Sequence, residues 1–266
     1  MFNKILTLNP IIQALLATLF TYSITALGAA LVYFFKKINK TFMDGMLGFS
    51  AGIMIAASFF SLIIPALEMS EELNLIPWIT VLIGFIFGGL LLFIGDKIYD
   101  VFEKKTKNIK TKSFKRSFML MSSITLHNIP EGMAVGVAFG SVIYGINGAN
   151  LIAAWTLALG IALQNFPEGT AVSMPLRRDG FSPSKAFFFG QLSGIVEPIA
   201  GVIGALLVMK IRILLPLLLS FAAGAMIYVV IEELIPESQT NKKKDLMALF
   251  TLFGFSLMMV LDITLG

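Results

Sequence analysis

The 266-residue chain contains no cysteine and a single histidine, His127. The first absence excludes disulfides, thiolate-bound structural zinc and thiol chemistry. The second excludes any centre that needs two imidazoles, the HExxH helix of metalloproteases included. Charge is scarce as well. Only 14% of residues are charged against 57% hydrophobic, and the mean hydropathy is +0.86. That composition belongs to an integral membrane protein, not to a soluble enzyme or a nucleic-acid-binding domain. No glycine-rich nucleotide-binding loop occurs, so ATP-driven work is not expected.

What is present is a succession of long apolar runs. At about 20 residues per crossing, they predict an all-α membrane protein with eight transmembrane helices in one domain, 1–266. The spans fall at about 11–35, 45–67, 76–94, 117–140, 151–174, 186–209, 213–235 and 246–266. A cleaved signal peptide would have a shorter apolar core and a more basic start than the first run, so it reads as a retained helix. The segment from Lys97 to Arg116 holds eight Lys/Arg and reads as a solvated basic loop. The connections after spans 1, 3, 5 and 7 together hold 17 of the 20 Lys/Arg. The positive-inside rule then places those connections, and the loop 97–116, in the cytoplasm. Both termini are expected outside a cell (inner or plasma) membrane. The partner implied by this charge pattern is the lipid bilayer and not nucleic acid.

Inside this apolar chain one polar stretch occurs twice. LHNIPEGMAV, Leu126 to Val135, recurs as LQNFPEGTAV, Leu163 to Val172, with seven of ten positions identical. Ionisable groups at membrane depth are costly and mark functional sites. His127 and Glu131, spaced i, i+4, share one helix face, as do Gln164 and Glu168 on the next helix. Facing each other, they supply an imidazole, two carboxylates and an amide oxygen, a donor set suited to a divalent metal. Pro130 and Pro167 lack the amide hydrogen that would bind the carbonyls of Leu126 and Leu163, so each helix is expected to kink there. Irregular backbone of this kind is tolerated inside protein or beside a watery path.

Further polar groups lie in the later spans. Glu197 precedes Pro198 in span 6, with Gln191 earlier on nearly the same face, and a metal role is expected for it. Glu232 and Glu233 sit near the cytoplasmic end of span 7, as an exit site or as interfacial carboxylates. Asp262, near the outer end of span 8, is expected to be exposed. Spans 4 and 5 carry one motif in opposite directions. FSAGIM (Phe49 to Met54, span 2) resembles FAAGAM (Phe221 to Met226, span 7), again in spans of opposite sense. Inverted repeats around broken helices are a pattern of secondary transporters.

HNIPEG, the second copy NFPEG and GIVEP together resemble the ZIP (Zrt-, Irt-like) metal transporters, in particular the prokaryotic branch, over essentially the whole chain. The resemblance implies import of divalent zinc, and often iron, manganese, cobalt or cadmium, into the cytoplasm. It also implies a 3+2+3 helix arrangement and an elevator-like movement of one bundle against another. By position it suggests one metal held by His127, Glu131, Gln164 and Glu168. A second would be held by Asn128, Asn165 and Glu197, with Glu131 and Glu168 bridging, and Glu233 falls at a metal-release position. The chain departs from the pattern where many members have histidine (Gln164), where some have aspartate (Asn165), and in a loop after span 3 without histidine.

The transported ion is then the only metal required, and no catalytic cofactor is expected, because the chain is not read as an enzyme. The alternatives are a proton-coupled exporter of divalent metals and a membrane protein with a structural metal. Oligomeric state stays open, a homodimer included.

Overall fold

The structure, a computed structural model, describes residues 8–35, 39–105, 112–145, 149–178 and 180–265. The side chains of residues 96, 99–105, 112–124, 126 and 127 lie outside that description. Among the described residues all regular structure is helical. In chain order the helices are α1 (Pro10–Tyr33), α2 (Lys40–Glu72), α3 (Pro77–Lys105), α4 (Lys112–Ser141), α5 (Leu151–Arg178), α6 (Pro183–Lys210), α7 (Arg212–Ser238) and α8 (Lys244–Leu265). Among the described residues α1, α2, α3, α6, α7 and α8 are long and apolar enough to cross a membrane. The chain is a multi-pass membrane protein. α5 is not in that group, although it is 28 residues long, because Gln164, Asn165 and Glu168 lie in its middle.

The helix ends are set by local chemistry in the polar flanks. Asn9 and Asn39 cap α1 and α2 by accepting from Ile11 N at 2.9 Å and Thr41 N at 2.8 Å. Asn150 accepts from Ala153 N at 2.8 Å at the start of α5, and Ser182 caps α6 ahead of Pro183. These side-chain oxygens take up amide hydrogens that no helical carbonyl can reach. α2 stops where Asn74 turns left-handed (φ 56°), and Leu75 N then donates to Ser70 O at 2.9 Å. Asparagine tolerates that conformation better than other non-glycine residues, and the closure is of the Schellman type.

The helices therefore run past several of the apolar limits read from sequence. The expected basic loop 97–116 is mostly helix: α3 continues to Lys105 and α4 begins at Lys112, with 106–111 outside the described residues. Hydropathy marks depth in the bilayer, whereas Lys and Glu extend a helix readily beyond it. The helices continue across the motif prolines: α4 runs through Pro130 and α5 through Pro167 and Pro175.

Irregular turns appear elsewhere. α2 widens to a π-helix at Ser58–Ile63 and α7 at Val230–Leu234. Each π segment begins nine residues after its Phe (Phe49 or Phe221) and is followed by Ile-Pro (Pro65, Pro236). π segments are costly insertions that cluster at functional sites. α6 contains a 3-10 turn at Ser193–Ile195, immediately before Glu197-Pro198.

Helix packing follows a matched pattern. The most extensive pairs are α4 with α6, α1 with α5, α2 with α8, α2 with α7, α3 with α7 and α1 with α6; then come α2 with α5 and α4 with α7. Exchanging 1 with 6, 2 with 7, 3 with 8 and 4 with 5 maps this set onto itself. The backbone contacts obey the same exchange. A Cβ on Gly254 of α8 would lie 2.1 Å from Phe49 O of α2, and one on Gly88 of α3 would lie 1.9 Å from Phe221 O of α7. Small residues let helices approach to backbone contact where lipid supplies no hydrophobic drive for association. α2 and α7 are the most buried of the apolar helices, and α3 and α8 the least. α3 turns Trp78, Phe87 and Leu91 outward. The motif helices α4 and α5 pack on each other and against the inner helices α2 and α7.

Candidate metal site

The two motif copies meet in the interior. Asn128, Glu131, Gln164, Asn165 and Glu197 are fully buried, and Glu168 is 3% exposed. Gln164 of α5 donates its amide to Glu131 Oε1 of α4. Ser50 of α2 donates to the Gln164 carbonyl at 3.0 Å. Asn128 of α4 donates to Ser193 O at 2.9 Å, in the 3-10 turn of α6. Asn165 of α5 donates to Glu197 Oε1 at 2.9 Å. The motif amides thus tie α4, α5 and α6 together, and the Ser50 hydroxyl adds α2.

Each of these amide nitrogens is engaged as a donor, while the amide oxygens are buried without a donor. Among the described residues, Asn128 Oδ1, Glu131 Oε2, Gln164 Oε1, Asn165 Oδ1 and Glu168 Oε2 are buried and have no hydrogen-bond partner. All five are acceptors. Buried acceptors left bare are costly, and charged ones more so. The carboxylates of Glu131, Glu168 and Glu197 also lie close enough to feel one another's charge, as do those of Glu168 and Glu233. A divalent cation among them would use these acceptors as ligands and offset the carboxylate charge.

The side chain of His127 lies outside the described residues, although its backbone holds the expected place in α4, four residues before Glu131. Among the described residues no three His, Cys, Asp or Glu side chains form a ready-made metal cluster. The donor set is half amide, which fits hard-to-borderline divalent ions.

Glu233 lies in the π segment of α7 and is partly buried, whereas its neighbour Glu232 is exposed. Asp262 differs from expectation. It is half-buried, accepts from Ser61 Oγ of α2 at 2.6 Å, and leaves Oδ2 without a partner. With Ser61, Glu68 and Asn150 it lines a cavity of about 220 Å³. The cause is the π segment of α2, which brings Ser61 against α8.

Sequence reasoning missed α1. Thr21 is fully buried and donates to Glu197 Oε2, and Tyr22 donates to Gln191 Oε1 of α6. The available signal was the spacing of Thr18, Thr21 and Thr25, which puts three hydroxyls on one face of an apolar helix.

Comparison with known proteins gives a consistent result. Residues 103–262 match the family model described as ZIP Zinc transporter. Zinc transporter ZIP11 of Xenopus tropicalis is 37% identical over 97% of this chain and 98% of its own length. Zinc transporter ZIPB of Bordetella bronchiseptica is 34% identical over 92% of this chain and 79% of its own. Zinc transporter ZupT of Clostridium perfringens is 32% identical over 97% of each.

Proposed function

The chain belongs to the ZIP zinc transporter family, whose members are transporters and not enzymes, and on that premise we propose that it imports divalent metal ions, zinc foremost, into the cytoplasm. The cargo ion is held on α4 and α5 by Glu131, Gln164 and Glu168, with His127 and Asn128 beside them. Asn165 and Glu197 lie beside that position, bonded to each other, and Glu233 receives the ion on its way out. The observation that carries this reading is the set of five bare, buried motif oxygens. A dehydrated divalent ion needs such acceptors to replace its water, and the carboxylates offset its charge in low dielectric. With no thiolate and one imidazole, the site lacks the closed tetrahedral set of structural zinc, so the ion can leave.

The same reading takes eight transmembrane helices as two inverted repeats, α1–α3 and α6–α8, flanking α4 and α5. Its support is the matched set of helix pairs and the paired π segments. With the basic connections in the cytoplasm, the cavity beside Asp262 and Glu68 opens on the outer side and is the access route. Alternating access is an elevator-like displacement of the helices around the motif (α1, α4, α5, α6) against α2, α3, α7 and α8. The contacts are densest within these two groups. Uptake of radioactive zinc into proteoliposomes, competed by iron, manganese, cobalt and cadmium, tests the function. A structural metal site binds zinc without flux, and an exporter reverses the direction.

A further inference from the structure

Of the three carboxylates in the site, one is treated differently from the others. Glu131 and Glu168 each leave an oxygen bare, whereas both oxygens of Glu197 are taken. Asn165 Nδ2 donates to Oε1 at 2.9 Å, and Thr21 Oγ1 donates to Oε2. Thr25 stands one turn further along α1, and its hydroxyl is also within reach of Glu197. The Thr21 hydroxyl has a second acceptor at 3.0 Å, the Thr18 carbonyl. Its one proton goes to the carboxylate, because a charged acceptor makes the stronger bond.

The backbone of Glu197 is pinned as well. A Cβ on Gly132 of α4 would lie 2.4 Å from Glu197 O. Glu197 therefore joins α6 to α1 through Thr21, to α5 through Asn165, and to α4 through its main chain. We infer that Thr21 is a positioning residue that, together with Asn165, holds Glu197 outside the cargo's ligand set, so that the site carries one divalent ion and Glu197 serves as a tether between helices.

The chemistry of position 165 supports this. Asparagine supplies a donor to Glu197, whereas aspartate would repel it and offer a further anionic ligand. Thr21 supplies the second donor from a helix that carries no residue of the repeated motif. The inference rests on the reading that Glu131, Gln164 and Glu168 hold the cargo.

The test measures zinc bound per chain, by equilibrium dialysis against zinc alone, and zinc uptake kinetics, both on the purified full-length protein. Glu131→Gln reports on the cargo site: if it keeps its zinc, the underlying reading fails, whatever Thr21 does. With that site established, wild type, Thr21→Ser and Glu197→Gln each bind one zinc. Thr21→Val lowers the maximal uptake rate by roughly fivefold, the order expected for one interhelical hydrogen bond, at unchanged KM. Thr21→Ser restores it. Thr21→Val/Asn165→Asp gains a second zinc. A wild type that binds two zinc ions and loses one on Glu197→Gln overturns the inference. So does a Thr21→Val/Asn165→Asp variant that elutes as folded protein and still binds one.

Discussion

The side-chain amide of Gln164 on α5 donates to the carboxylate of Glu131 on α4, so the two copies of the motif are joined side chain to side chain. The bond uses one amide hydrogen and leaves Gln164 Oε1 and Glu131 Oε2 free, on two different helices. A cation between them would take acceptors from both copies at once.

Loss of either central carboxylate is therefore expected to be severe. Glu131→Ala and Glu168→Ala abolish zinc uptake in proteoliposomes while the proteins remain folded, since an uncompensated buried charge costs about 3–5 kcal/mol. Asn165→Ala is milder, because it removes a donor to Glu197 and no cargo-bearing charge. Equal damage from Asn165→Ala and Glu168→Ala in initial uptake rates contradicts this ranking.

The backbone contacts at glycine give a prediction on stability. A Cβ on Gly88 meets Phe221 O at 1.9 Å, whereas one on its neighbour Gly89 meets only Gly224 O, at 3.7 Å. Gly88→Ala forces α3 from α7 and destabilises by about 1–3 kcal/mol, the usual range for overpacking. Gly89→Ala leaves the pair intact. Thermal unfolding in detergent should separate the two, and equal melting temperatures would show that the helices do not touch there.

Orientation follows from charge. In this cysteine-free chain, a cysteine at Ser113 should resist an impermeant maleimide on intact cells and one at Asn3 should react. The opposite labelling reverses the direction of transport proposed above.

Acid should slow uptake. Carboxylate and imidazole bind metal only when deprotonated, so protons compete with the ion over about pH 8 to 5. The carboxylates share that titration with His127. His127→Gln removes the imidazole but keeps an oxygen, and the acid midpoint of its residual uptake should move lower. An unshifted midpoint excludes His127 as a proton-sensitive ligand.

The sequence carried a great deal of this arrangement, for physical reasons. The motif was legible because polar groups are rare at membrane depth, and FSAGIM with FAAGAM was legible because close helix contacts demand small residues. Asp262 was misjudged because a π segment is invisible to hydropathy: the insertion that brings Ser61 to it changes helix phase and not composition. Thr21 was passed over because a lone threonine in an apolar helix ordinarily satisfies itself on its own backbone, as Thr18 does on Ala14 O at 2.8 Å. Only the structure sets Glu197 opposite it.

The most direct test of the central claim is inward zinc flux at a fixed external zinc concentration and clamped pH, for oriented wild-type protein and for Glu131→Gln, in vesicles without ATP. The account predicts saturable zinc accumulation down its gradient for wild type and background flux for Glu131→Gln, with both proteins equally folded. Zinc bound by wild type without flux, or undiminished flux through Glu131→Gln, would contradict it.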